Sequence, residues 1–495
     1  MSSKDLTKRV RRCFLSTFNA QNRRKAMSKM KKTRTRAGIS CGLITAAALI
    51  PSANADSLAT NSIAAPAPSP GHALLWQKPD WLTDLSAGVR EGYDDNTLGV
   101  SGQGLQPAGS WITSVSAKVG VDFAPLLGKD SPYQALTLVY APDFNTYHNT
   151  PQESYNAQRV FDVIRMTDEN FSLNLTNYFL YNDGSTTAPT YALNQTSNTN
   201  DRYRNFYAFA MPRERRNQIQ DRALAALQYD SDNMFVRPTA SLLYYNMNTV
   251  FHNASIPPNI GYQNWPDRSD VNGGLDWGYR VTQSLAIIAG YRYGYQYQQQ
   301  FPLIISPADR HYSSNNYQRA LLGLEGKLWS WLSIKAAAGP DFRDYNSHAA
   351  VDDLHPIYPF VEGTVTATIT PNQSLSFYTK EWQWVSSAGL VPYYDSTYAL
   401  TYHWKATRQL GFDLGGKILN ANFLDGDDVI GVQPSKRNDI EYGITAGATY
   451  AFTPNLNANL TYGFNAGRNL LDNAIEAAYR NFNENVVSLG VQFKF

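Results

Sequence analysis

This sequence has few cysteines, no long apolar runs and nearly equal numbers of basic and acidic residues. Its 495 residues include only two cysteines, and its formal net charge is +2. No apolar run approaches the roughly 20 residues that a membrane-spanning helix requires. A helical membrane protein is therefore excluded, while the 43% hydrophobic and 13% aromatic content excludes a disordered chain.

The first 55 residues differ in composition from the rest. They contain 13 Lys/Arg and one acid, followed by an apolar stretch over residues 39–50 and small residues up to Ala55. This order predicts a signal peptide over residues 1–55. The alternatives are an uncleaved anchor helix, for which the apolar stretch is short, and a translation start at Met27 or Met30.

Removal of this segment changes the charge and leaves no cysteine. Subtracting its 13 basic residues from 43 and its one acid from 41 leaves 30 against 40, a net charge near −10. A basic nucleic-acid-binding surface is thereby excluded. Because Cys13 and Cys41 both lie in the segment, the mature chain has no disulfide.

Beyond an Ala/Pro-rich stretch at 56–83, which predicts a periplasmic linker, hydrophobicity alternates with a period of two. In the last nine residues, Val487, Leu489, Val491, Phe493 and Phe495 alternate with smaller or polar residues. Segments of about 9–13 residues with this pattern match tilted strands that cross a membrane. Residues 84–495 are therefore predicted to form an outer-membrane β-barrel.

Short and long connections alternate along this region. Similar tight turns recur at Thr282, Thr370, Thr407 and Thr453, and the intervening connections are long and rich in Asn, Asp, Gly and Pro. Short periplasmic turns and long extracellular loops are typical of outer-membrane barrels.

The alternation predicts an all-β, up-and-down antiparallel transmembrane barrel of 18 strands, with 16 as the alternative. Two segments are ambiguous: 158–167, which also fits a helix, and 269–279. The predicted strands are 84–93, 111–123, 133–145, 158–167, 170–181, 218–229, 234–246, 269–279, 283–297, 317–329, 331–343, 357–368, 373–384, 394–404, 408–420, 438–451, 455–465 and 484–495.

The N-terminal segment, the Thr-Pro-Asn-Leu-type turns and the final Val491-Gln492-Phe493-Lys494-Phe495 together resemble bacterial outer-membrane porins, most closely the β-barrel porin 2 families. The resemblance spans residues 84–495. It implies that the barrel assembly machinery reads the terminal Phe495. It also implies a polysaccharide role as one option, because some relatives are linked to exopolysaccharide gene clusters.

A barrel of this size encloses an aqueous lumen whose inward side chains set selectivity. The alternation places Arg222, Arg237, Arg292 and Arg319 inward as pore-lining candidates. It places the following further charges inward: Lys335, Arg343, Asp122, Glu325 and Asp341.

The longest predicted loop, 182–217, combines arginines with aromatic residues. In general porins the third loop narrows the lumen, and guanidinium groups with aromatic rings suit anions or sugars. We therefore expect this loop to constrict the pore, with an external loop as the alternative. Its arginines are Arg202, Arg204, Arg213, Arg215 and Arg216.

Catalysis and metal binding have little support. The pairs Asp309–His311 and Asp353–His355 lie in predicted loops, and no Gly-x-Ser-x-Gly motif occurs. The acidic run at 425–428 lacks the spaced carboxylates of an EF-hand loop. The sequence predicts no enzyme activity and no cofactor.

The expected function is passive diffusion of small hydrophilic solutes across the outer membrane. The alternative is a non-catalytic barrel that serves exopolysaccharide export or a cell-surface structure. The expected partners are outer-membrane lipid, the assembly machinery, the solutes and, in a homo-oligomer, further copies of the chain.

Overall fold

The computed structural model describes residues 78–97, 108–128, 130–184, 217–248, 266–299, 312–347, 349, 351, 353–386, 392–424, 438–469 and 481–495. They form 18 strands and two short 3-10 helices, Ala124–Leu127 and Pro151–Glu153. The strands are β1 Leu82–Asp94, β2 Ser110–Asp122, β3 Tyr133–Tyr147, β4 Tyr155–Asp168, β5 Phe171–Asp183, β6 Gln218–Ser231, β7 Met234–Asn246, β8 Arg268–Thr282, β9 Leu285–Gln298, β10 Asn315–Trp329, β11 Leu332–Tyr345, β12 Ile357–Thr370, β13 Gln373–Trp384, β14 Tyr393–Lys405, β15 Leu410–Phe423, β16 Asn438–Thr453, β17 Leu456–Asn469 and β18 Phe482–Lys494.

Each strand pairs antiparallel with its sequence neighbours, and β1 pairs with β18. The closing register runs from Ser86–Lys494 to Asp94–Val486, and the Phe495 N–H donates to the Leu85 carbonyl at 2.8 Å. The predicted closed, 18-stranded, up-and-down barrel is confirmed. Both ambiguous segments are strands, so the count is 18 and not 16.

The repeated threonine turns share one hydrogen bond. The threonine hydroxyl oxygen accepts the N–H of the residue two positions later, at 3.1–3.3 Å, in the turns at Thr282, Thr370, Thr407 and Thr453. Two further tight turns carry positive φ at Glu169 and Asp232, as expected where a two-residue turn joins twisted strands. All these turns lie at the same end of the barrel, the short-turn rim.

Alternate residues of each strand face outward, and in most strands these residues are apolar. Val89 on β1 pairs with Val491 on β18, and both side chains are about half exposed, at 50% and 48%. Closed barrels expose such a band to lipid because no water there could satisfy an open sheet edge. None of the described helices is long and apolar enough to cross a membrane.

Aromatic residues mark the short-turn rim in contacting pairs. Amphipathic rings of this kind prefer the boundary between acyl chains and water. The pairs are Phe171–Tyr229, Trp329–Trp331, Trp404–Phe412, Tyr450–Phe452 and Phe493–Phe495. The closed sheet, the apolar band and this girdle place the barrel in the outer membrane, with the short turns on the periplasmic side.

Placing a charge in the band tests this orientation. Leu489 lies near the middle of β18 and is 59% exposed on the outer face. We expect Leu489→Arg to lower the free energy of unfolding by about 2–4 kcal/mol, the cost of arginine facing lipid at the bilayer midplane. Urea titration in lipid vesicles measures this. Gln492→Arg on the inner face of the same strand is the control, and an equal loss in both variants would contradict the assigned faces.

Candidate functional site

The inner face of the barrel has two contrasting regions. Beside β7–β15, side chains cross the lumen and contact strands that are not their neighbours. Beside β16–β18, β1 and β2, most inward residues are small.

Residues 383–386 at the extracellular end of β13, called the strap here, are held from three other strands. Carbonyl oxygens of the strap accept hydrogen bonds from side chains of β8, β9 and β11, which lie two to five strands away around the barrel. The strap is thus a short bridge inside the barrel. The bonds are Arg268 Nη1 to Val385 O at 3.0 Å, Gln296 Nε2 to Gln383 O at 3.1 Å, Gln298 Nε2 to Ser386 O at 2.7 Å and Arg343 Nη2 to Gln383 O at 3.2 Å.

Arg268 is the central side chain of this bridge. It is 1% exposed, and its guanidinium lies 4.8 Å from the ring centroid of Tyr245 and 5.1 Å from that of Trp384. It also donates to the Tyr393 hydroxyl at 3.4 Å. The surrounding apolar cluster fills the extracellular part of the lumen beside these strands. Its buried members are Tyr245, Met247, Phe360, Trp382, Trp384, Val385, Tyr393, Ala421 and Phe423.

Below the strap, one carboxylate serves two buried arginines. Asp341 is fully buried, and its Oδ2 accepts from Arg319 Nε at 3.0 Å and from Arg343 Nη2. The Arg319 guanidinium is stacked between rings, 4.1 Å from Tyr317 and 4.3 Å from Phe360. Tyr317 can lie flat here because Gly294 on β9 has no Cβ, which would overlap the tyrosine ring.

A second charge network lies nearer the periplasmic rim. Arg237 donates to Asp276 at 3.2 Å and to Glu325 at 2.8 Å, and Arg292 pairs with Asp276 at 2.6 Å. Since Arg237 is on β7 and Glu325 on β10, the contact is a chord across the inside of the barrel. These arginines are neutralised by neighbours, so they contribute little field of one sign.

The wall formed by β16–β18, β1 and β2 carries mainly small inward residues. Their side-chain contacts join neighbouring strands, as in the Thr461–Ser488 hydroxyl pair at 2.6 Å. Side chains of this size fill less of the lumen than the aromatic cluster does; five of the twelve residues are buried and seven, including Ser116, are partly or fully exposed. The small inward residues are Gly443, Thr445, Gly447, Asn459, Thr461, Gly463, Ser488, Gly490, Gly88, Gly92, Ser114 and Ser116.

Further inward charges form pairs of opposite sign between neighbouring strands. Balanced pairs give no strong single-sign field along the described wall. The pairs are Lys118–Asp84, Arg159–Asp143, Lys380–Glu362 and Lys417–Glu441.

The predicted site residues fall into two groups. Arg222, Arg237, Arg292 and Arg319 lie on the inner face, and Arg222 interacts with Tyr245 on β7 and with Tyr378 on the distant β13. Their role in permeation stays a prediction. The loop arginines, Arg202, Arg204, Arg213, Arg215 and Arg216, lie outside the described residues.

The structure also describes one of the two Asp–His pairs that could have supported catalysis. The Asp353 carboxylate accepts the backbone N–H of His355, whose imidazole contacts Asp344 at an exposed site. Asp309–His311 and the acidic run at 425–428 lie outside the described residues. Within the described part of the chain, no group of three His, Cys, Asp or Glu side chains could hold a metal ion.

The sequence did not predict the strap or the contact between His403 and Asp413. Inside the barrel, His403 Nδ1 lies 2.6 Å from Asp413 Oδ1. The two members of that pair are direct cross-strand partners, so the hairpin register could have revealed them. No local sequence pattern predicts the strap, because the residues that donate hydrogen bonds to it lie up to 117 positions away in the chain.

No family model matches the chain, and no curated protein matches it. Crystal structures of Pseudomonas aeruginosa proteins align at low similarity. OccK2 (OpdF) in complex with glucuronate has a TM-score of 0.39 and 11% identity, covering 83% of this chain and 98% of that chain. OpdQ aligns with a TM-score of 0.39 and 11% identity, covering 84% of this chain and 100% of that chain. OpdK with vanillate aligns with a TM-score of 0.38 and 10% identity, covering 84% of this chain and 100% of that chain. The barrel assignment rests on this chain's own strand pairing.

Proposed function

We propose that this protein is a passive outer-membrane channel for small hydrophilic solutes, and that the solutes pass along the wall formed by β16–β18, β1 and β2. The observation that carries the proposal is the contrast between the two inner regions. One is filled by the strap and its aromatic cluster, whereas the other is lined mainly with small residues, glycines among them. A path displaced from the barrel axis follows from that contrast.

The paired charges support weak selectivity. A solute moving along this wall meets charges of both signs in pairs on it or beside it, such as Lys118–Asp84 and Lys417–Glu441. Any bias toward anions would then come from the Arg-rich loop 182–217, which we propose as a further constriction. The alternative function, a barrel that serves polysaccharide export or a surface structure, requires partners before any flux occurs.

Two assembly roles belong to the same proposal. Phe495 ends the closing strand and contacts Phe493 at a centroid distance of 4.8 Å, which suits recognition of the last strand by the barrel assembly machinery. The resemblance to β-barrel porin 2 families stays a hypothesis. Self-association is compatible with a barrel whose outer band is mainly apolar.

Cysteine substitution tests the path directly, because the mature chain is predicted to lack cysteine. Ser116 on β2 is inward and exposed, and the adjacent Val115 faces outward. In planar bilayers we expect stepwise conductance, and we expect an anionic methanethiosulfonate reagent to reduce it by about half or more in Ser116→Cys, since a bulky charge then occupies the lumen wall.

Two matched variants complete this test. Val115→Cys places the thiol in lipid, and Ala421→Cys places it in the filled region, where Ala421 is fully buried. Both should keep their conductance after treatment. A wild-type protein without conductance steps would favour the export alternative, and equal block in all three variants would contradict the displaced path.

A further inference from the structure

Phe161 is a large apolar side chain that is exposed on the inner face of the barrel. It is the seventh residue of β4 and pairs with Val139 on β3 and Tyr178 on β5. This register places it on the inner face, and it is 39% exposed. Among the described large hydrophobic side chains that are this exposed and lie more than two residues from a strand end, all the others face outward.

An aromatic ring exposed to an aqueous lumen has a cost. Burying a phenylalanine side chain contributes about 1.5–3 kcal/mol, and Phe161 forgoes part of that contribution. Tyr178 packs against it at a centroid distance of 4.8 Å and an interplanar angle of 48°. That contact covers part of the ring, and the remainder faces solvent inside the barrel.

Polar groups flank Phe161 along the same inner face. Two residues toward the extracellular rim, Arg159 lies 3.7 Å from Asp143 on β3. Toward the periplasmic rim, Arg165 and its cross-strand partner Asn174 are both exposed. At about 3.3 Å per residue, the row from Arg159 to Arg165 spans about 20 Å. A ring platform thus lies between hydrogen-bond donors and acceptors.

We propose that Phe161 is a stacking platform for saccharide rings that pass through the lumen. A pyranose has an apolar C–H face that fits an aromatic ring, and its hydroxyls need donors and acceptors together. Arg165 supplies donors and Asn174 supplies both donors and acceptors, since both are exposed, whereas Arg159 and Asp143 are mostly buried and paired with each other. The length of the row suits a linear oligosaccharide of a few rings. The proposal rests on the channel function proposed above and adds a solute class.

The test uses the full mature protein in planar bilayers, with maltohexaose as the probe and sorbitol as an open-chain polyol control. We expect maltohexaose to reduce the current saturably and sorbitol to have no saturable effect. Phe161→Leu keeps apolar bulk but removes the aromatic face, so the dissociation constant should rise about three- to tenfold. Phe161→Trp should bind at least as tightly as the wild type. Phe144→Ala, on the outer face of β3, is the matched control.

The outcomes separate this proposal from the channel function. Normal conductance with no saturable maltohexaose effect, or with unchanged affinity in Phe161→Leu, would overturn the platform and leave the channel intact. If the wild type has no conductance, the channel function fails. Calorimetric titration of the detergent-solubilised protein with maltohexaose then decides the platform alone, where no heat of binding would overturn it. A heat-modifiability shift on gels confirms that each variant is folded.

Discussion

Replacing Asp341 with asparagine is expected to lower the free energy of unfolding by about 3–5 kcal/mol, the cost of leaving buried charges without their partner. Asp341 is fully buried, and its carboxylate serves both Arg319 and Arg343, which are 5% and 3% exposed. The amide keeps the shape but removes the negative charge, so two guanidinium groups remain buried without their carboxylate partner. Urea titration of the barrel in lipid vesicles measures the shift.

Asp413→Asn is the control for that experiment. Asp413 also pairs with a neighbouring side chain, His403, but both are partly exposed in the lumen. Its loss should therefore cost about 1 kcal/mol or less, as for side-chain pairs in contact with water. A second comparison adds Arg319→Met and Arg343→Met to Asp341→Asn, which should recover much of the stability because neither guanidinium then remains buried without its carboxylate partner. Equal effects of Asp341→Asn and Asp413→Asn would contradict the buried cluster.

Replacing Arg268 with methionine is expected to release the strap and to increase single-channel conductance at least about twofold, because the pore becomes wider where the strap lay. The arginine provides hydrogen bonds to Val385 and Tyr393 and stacks on Tyr245 and Trp384. Two hydrogen bonds and two desolvated cation–π contacts contribute a few kcal/mol together. A loss of that size changes a rarely open strap into one that opens often.

Arg280→Met is the matched control for the strap. Arg280 lies on the same strand and the same face, but it pairs with Asp230 near the periplasmic rim. Its conductance should stay close to that of the wild type, whereas the Arg268 variant should also show more current noise from strap motion. Unchanged conductance in Arg268→Met, with the barrel still folded, would mean that the strap does not limit flux.

The outer face of the barrel was predictable because lipid imposes a simple rule on it. Side chains that contact lipid are apolar, and Leu489 and Val491 follow this rule. The threonine turns repeat because the same side-chain hydrogen bond stabilises each of them. Strand ends were less predictable. β4 begins at Tyr155 rather than 158, since polar rim residues stay hydrogen-bonded after the hydrophobic alternation ends.

The interior was less predictable because its side-chain contacts cross the lumen between strands that are not neighbours. Arg319 could be placed on the inner face, but its burial between Tyr317 and Phe360 depends on strands two apart. β4 was ambiguous for a physical reason: it places Phe161 inward and Asp162 outward, which reverses the usual separation of faces. Such a reversal weakens the periodic signal at the position where the interior carries an unusual residue.

The β1–β18 seam concentrates the non-local part of the topology. Every other strand pairing in the described barrel joins consecutive strands, whereas the seam joins Ser86 to Lys494. Closing a loop of about 400 residues costs about 3 kcal/mol more in chain entropy than closing one of ten. Contact order is therefore low everywhere except at one junction, and hairpins can form in any order while closure waits for the last strand. The seam is where the kinetic barrier to a finished barrel is expected to lie.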